Sequence, residues 1–261
     1  MRHPITSSRA ARACVALLCA TLHVVSPRVA AATPVVGTLT FSGSMTFGPS
    51  FMTFTCALVC PANSGDVQAA TAGLQSGSFV PLANATGYDR NLAFLGAQPI
   101  NSPFVLANFL SFASAPDIAI DLGFIDPGTG AATCAGGLGA SCTPRFAALV
   151  TPSNPLGLSP YVLTSTAIGT SFMVSFAGTA RRISTGETST FTGLLTTQFA
   201  GLTSSQLAST LAAGGTPATT FSAALTVTPT VVTTPEPATV ALLAPALLVL
   251  GGLARRRRQR A

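Results

Sequence analysis

The sequence predicts an all-β domain, an antiparallel β-sandwich or jelly roll with one short helix, framed by an apolar segment at each end. Three observations carry that expectation. Apolar and polar residues alternate with a period of two along several runs of eight to ten residues, the mark of strands with one buried face. Clusters of Gly, Pro, Ser and Asn separate the runs, as at 61–65, 127–130 and 151–157. All sixteen Phe of the 261-residue chain lie between Phe41 and Phe221, enough for a sizeable core in a protein without Trp.

The first element is not part of that domain. Arg2, Arg9 and Arg12 precede an apolar run over 13–25, and Ala30, Ala31 and Ala32 close the segment. A basic start, a short apolar stretch and small residues at the end make 1–32 a secretory signal peptide, with cleavage between Ala32 and Thr33. About 13 apolar residues fall short of the ~20 that span a bilayer. Signal peptidase is therefore an expected partner.

The expected exported domain covers 33–228. In 38–47, Leu39, Phe41, Met45 and Phe47 share one face. In 117–124, Ile118, Ile120, Leu122 and Phe124 point inward while Asp117, Ala119 and Asp121 point outward. In 171–180 the inward residues are Phe172, Val174 and Phe176, and in 220–228 they are Phe221, Ala223, Leu225 and Val227. One helix interrupts the strands. Thr203 and Gln206 form a capping-box pattern, Leu202 and Leu207 hold the staple positions, Leu207 and Leu211 stack one turn apart, and Gly214-Gly215 supplies the stop.

Four Cys remain after export: Cys56, Cys60, Cys134 and Cys142. An even count in an exported chain points to two disulfides. Cys134 and Cys142 bracket a Gly-rich loop that can bring its ends together, which favours that bridge. In a regular strand Cys56 and Cys60 would stand about 13 Å apart, too far to bridge. Either the chain turns at 57–59 and they pair locally, which is the expectation, or each reaches Cys134 or Cys142. A Cys₄ zinc site does not fit these spacings.

The charges of the domain limit its chemistry. The formal +6 of the whole chain comes from its ends. Between residues 33 and 234 there are four Arg (Arg90, Arg145, Arg181 and Arg182) against six acids (Asp66, Asp89, Asp117, Asp121, Asp126 and Glu187), a net −2. No nucleic-acid partner is expected of such a surface. Both His (His3 and His23) fall in the signal peptide and there is no Lys, so His-based catalysis, His-ligated metals and an activated Ser nucleophile are excluded from the mature chain. Asp117, Asp121 and Asp126 are the one acidic cluster, readable as a calcium site or a glycosidase carboxylate pair. Alternation instead sets Asp117 and Asp121 on a solvated strand face, and Asp126-Pro127-Gly128 reads as a turn. The expectation is a non-enzymatic protein with no cofactor and no metal. A carbohydrate-binding module or adhesin is the second reading, weighed down by offering only Tyr88 and Tyr161 as aromatic platforms and no Trp. A carboxylate-only hydrolase is the third.

The C-terminal elements are a Thr/Pro-rich linker at 229–234 and a segment at 235–261. Pro235-Glu236-Pro237 is followed by an uncharged run over 238–254 and then by Arg255, Arg256, Arg257, Arg258 and Arg260. As a helix the run is about 25 Å long, near the ~30 Å of a hydrocarbon core. The Arg run marks the cytoplasmic side of this expected transmembrane helix, so the chain would be anchored N-out and C-in. This order of parts, over the last 27 residues, resembles the PEP-CTERM sorting signal of Gram-negative bacteria. The resemblance implies recognition by a membrane-embedded exosortase, cleavage near Pro235-Glu236-Pro237, transient contact with the inner membrane through 238–254, and release to the cell surface or exterior. It further implies association with extracellular polysaccharide in a biofilm.

Overall fold

A computed structural model describes residues 33–57 and 59–230. The expected signal peptide at 1–32, the expected linker beyond residue 230, Pro235-Glu236-Pro237, the apolar run 238–254 and the Arg tail lie outside the described residues. The described chain forms β1 (Gly37–Gly48), β2 (Phe51–Phe54), β3 (Ser64–Ala69), β4 (Thr86–Arg90), β5 (Leu92–Ala93), β6 (Leu106–Phe112), β7 (Ile118–Ile125), β8 (Ser141–Cys142), β9 (Val162–Thr166), β10 (Gly169–Arg182), β11 (Thr188–Ala200), α1 (Ser204–Ala212) and β12 (Ala218–Pro229). Three short 3-10 turns, Ala72–Leu74, Gly77–Leu82 and Ala147–Leu149, lie in the connections.

Eight of these strands close into a barrel rather than splitting into the two sheets of a sandwich. Around the barrel the order is β1, β3, β4, β6, β7, β10, β11, β12, with every neighbouring pair antiparallel. β12 then returns to β1, from Gly37 opposite Val227 to Thr46 opposite Ala218. The expected sandwich is corrected here for a definite reason. Period-two alternation tells which face of a strand is buried, and both architectures bury one face. What separates them is whether the sheet edges meet, and that depends on the long β10–β11 and β12–β1 ladders.

Two long strands change partners along their length. β1 pairs with β3 through Phe41–Gly43 and with β2 from Met45 onward. β10 pairs with β9 through Met173 and with β7 from Phe176 onward. The short strands β2 with β5, and β9 with β8, thereby extend one end of the barrel.

The interior is filled with side chains. Leu39, Phe47, Phe172, Leu225 and Met45 are wholly buried, and Phe41, Phe191 and Phe221 nearly so. Outward positions on β11 and β12 carry exposed Thr190, Thr192, Thr226 and Thr228. Apolar inside and hydroxyl-bearing outside is the reverse of a membrane-spanning barrel, whose outer band faces lipid.

Most of the expected alternation is observed: the inward residues of β1, β10 and β12 are those read from the sequence. β7 departs from it. Opposite β10 the register jumps from Ala177–Phe124 to Gly178–Leu122, so Gly123 is an extra residue in β7. One inserted residue reverses the parity beyond it. Ile125, not Phe124, therefore enters the core, and Phe124 is half-buried.

The helix forms as its sequence directs. Thr203 Oγ1 accepts the Gln206 backbone N–H at 3.2 Å while the Gln206 side chain accepts from the Thr203 N–H at 2.9 Å. Leu207 and Leu211 are both wholly buried against the barrel. At the other end the Gly214 N–H donates to Leu211 O and the Gly215 N–H to Thr210 O, which completes a Schellman stop with Gly214 at φ +80°.

Candidate functional site

The Cys residues pair locally in both cases. Cys56 and Cys60 are bonded with their Cα atoms 6.0 Å apart, and Cys134 and Cys142 with theirs at 5.1 Å. The chain thus turns between Cys56 and Cys60, and the Ala57 N–H donates to Asp66 Oδ1 at 2.8 Å, tying that loop to β3. Cys56, Cys60 and Asp66 are the one trio of metal-ligand types gathered within 4.8 Å among the described residues. Because the two sulfurs are joined to each other, the trio offers a cation only a single carboxylate.

The acidic residues singled out as calcium or catalytic candidates do not converge. Asp117 is held by the Ser184 N–H at 2.7 Å and hydroxyl at 2.9 Å, and by Arg182 at 3.1 Å. These bonds, led by the Ser184 N–H, hold its carboxyl below the ordinary range. Asp121 accepts from Arg181 Nε at 3.1 Å and from the Asn108 N–H at 2.7 Å. Asp126 directly follows β7, its N–H donating to Ser175 O of β10, and residues 126–129 do not form the turn expected there. Arg181 and Arg182 are accordingly partners of the strand-end carboxylates rather than free surface charge.

Two residues have roles that the sequence conceals. Tyr161, an expected platform for sugar, is wholly buried. Its ring packs 4.9 Å from Phe172 and 5.4 Å from Phe47, and its hydroxyl donates to Gly48 O at 2.6 Å, with Phe51 O at 3.1 Å. It fastens the β1–β2 turn to the core, so its place among the binding candidates is corrected. Asp89, on β4, points into the barrel with no exposed surface, and neither carboxylate oxygen completes a hydrogen bond. Burial pushes its carboxyl well above the ordinary range; the backbone N–H groups of Asp89 itself and Gly65, which fall short of hydrogen-bond geometry, soften the effect, and the nearby Asp66 charge adds to it.

A concavity lies on the outside of the barrel, where β1 exchanges β3 for β2. It is an open groove of about 690 Å³. Ser42 and Ser44 on β1, Asp66 and Gln68 on β3, Thr86 on β4 and Thr55 beyond β2 line it. Its floor runs over Gly43, where a Cβ would come 2.9 Å from the ring of Phe221 on the inner side. Tyr88 is the register partner of Asp66 and shares its outward face, half-buried. Strand alternation places the Asp89 side chain on the opposite face of the same β3–β4 pair. Asp66 and Asp89 therefore cannot flank one substrate as acid and base.

No family model, curated protein or solved structure matches the chain.

Proposed function

We propose that this chain is an exported, non-enzymatic protein of the cell surface or extracellular matrix, processed by an exosortase and associated with exopolysaccharide. The observation that carries the reading is the pair of local disulfides, Cys56–Cys60 and Cys134–Cys142, in a barrel whose sequence is flanked by a signal peptide and the Pro235-Glu236-Pro237 tail. Such bridges belong to oxidising compartments outside the cytosol. The core also supports it. Buried Phe rings fill the barrel, and Asp117 and Asp121 are occupied by Arg182 and Arg181. An enzyme built on this chain would have to work with carboxylates alone, and its acids are dispersed.

The sorting step is testable by substitution. Changing Pro235, Glu236 and Pro237 together to Ala is expected to leave the protein in the inner-membrane fraction with its Arg tail intact, while the wild type reaches the surface or the medium. Equal surface delivery of both would overturn the reading.

A further inference from the structure

The groove at the junction of β1, β2 and β3 has a chemistry that selects among ligands. Its polar side chains are hydroxyls, one amide and one carboxylate, no Arg lines it, and Ala57, Val67 and the Phe221 ring supply apolar wall. The Gln68 amide and the hydroxyls of Ser42, Ser44, Thr55 and Thr86 make no hydrogen bond within the described protein, so their donors and acceptors are open to an occupant. Asp66 differs from them. Its Oδ1 is anchored by the Ala57 N–H, which fixes the carboxylate and leaves its remaining lone pairs for a second donor.

A phosphate, a nucleotide or an anionic polymer has no cation to meet here, and Asp66 would repel it. The apolar walls, Val67 and Phe221, are interleaved with the Asp66 carboxylate and the Gln68 amide, which a purely apolar ligand would leave without partners. A neutral polyhydroxyl chain fits both requirements. It donates to Asp66, exchanges donor and acceptor with Gln68, and satisfies the surrounding Ser and Thr hydroxyls directly or through water. Tyr88 is not part of the groove's lining, but as the register partner of Asp66 on the same outward face it places an amphipathic ring next to the groove, within reach of a sugar chain that extends past Asp66. The volume of about 690 Å³ lies in the range of small-molecule sites and accommodates a few sugar units.

We propose that this groove binds a neutral oligosaccharide, with Asp66 and Gln68 as the hydrogen-bonding pair and Tyr88 at its flank. The proposal rests on the reading of the protein as one delivered to a polysaccharide-bearing exterior, and it names the surface that would meet that material. It makes the association with polysaccharide specific to uncharged chains.

The test is calorimetric titration of the exported protein, disulfides intact, with glucan, mannan and galactan tetrasaccharides and with an oligouronate. At least one neutral tetrasaccharide is expected to bind and the oligouronate is not. Gln68→Ala and Tyr88→Ala are each expected to weaken binding about tenfold, the scale of one or two lost contacts, with no change in melting temperature. Binding to no neutral probe, oligouronate binding equal to neutral, or full affinity in both variants would overturn the proposal. These outcomes are separable from failure of the sorting reading. A correctly processed protein that binds no neutral glycan would sink this proposal alone, and a protein that binds while keeping its Arg tail would sink only the sorting step.

Discussion

Asp89 holds a carboxyl group inside an apolar barrel with neither oxygen hydrogen-bonded, and this has a pH signature opposite to that of most carboxylates. Its folded pKa is raised by burial. As pH climbs past the ordinary Asp value, about 4, the unfolded chain releases the proton while the folded protein keeps it. Stability therefore falls with rising pH, until the folded group ionises too. Asp89→Asn cannot ionise and is expected to flatten this limb, leaving the variant about 1–3 kcal/mol more stable than wild type at pH 7 in urea unfolding. Equal stabilities at pH 7 would mean that the carboxyl is partnered. Asp117 acts with the opposite sign. Its folded pKa is lowered, chiefly by the Ser184 N–H, so its contribution is present above about pH 4 and lost as the pH falls through the lowered value. Tyr161→Phe removes a hydroxyl bonded to Gly48 O and Phe51 O, and a loss of about 1–3 kcal/mol is expected in the same assay.

At the scale of the element, the strands place glycines on the inner face where Phe rings need room. A Cβ on Gly193 in β11 would overlap the Phe176 ring and the Leu225 side chain, so Gly193→Ala is expected to cost about 1–3 kcal/mol and lower the melting temperature. The two disulfides close short loops and should each contribute only about 2 kcal/mol. Dithiol reduction is therefore expected to lower the melting temperature while the β-sheet circular dichroism persists at room temperature. β1, β10, β12 and α1 were legible in the sequence because each follows one local rule, alternation or a capping box, over its whole length. The β7 register was not. Gly123 is a bulge only relative to Ala177 and Gly178 on β10, and no local pattern in 117–124 encodes that pairing. Tyr161 was misleading for a related reason, since its hydroxyl partners lie more than a hundred residues away.

For the whole molecule, barrel closure bears on the proposed export. The closed eight-strand ring leaves none of its own strands with an open edge, which suits the proposed place outside the cell. Its outer surface carries hydroxyls, and its charge between residues 33 and 234 is −2 although the full chain is +6. The Cys134–Cys142 bridge was readable from its Gly-rich loop, the Cys56–Cys60 bridge only as the preferred of two alternatives, and the groove was not readable. Ser42, Asp66 and Thr86 come from three strands, β1, β3 and β4, that become neighbours only when their ladders pair in the folded sheet. The central claim is that nine of the thirteen Arg serve delivery and are removed. Mass spectrometry of both termini of the surface-associated protein, from cells with and without exosortase, tests it most directly. In normal cells the protein is expected to begin at Thr33 and end near Pro235, and without exosortase to retain its tail through Ala261. A full Arg tail on the surface protein of normal cells would contradict it.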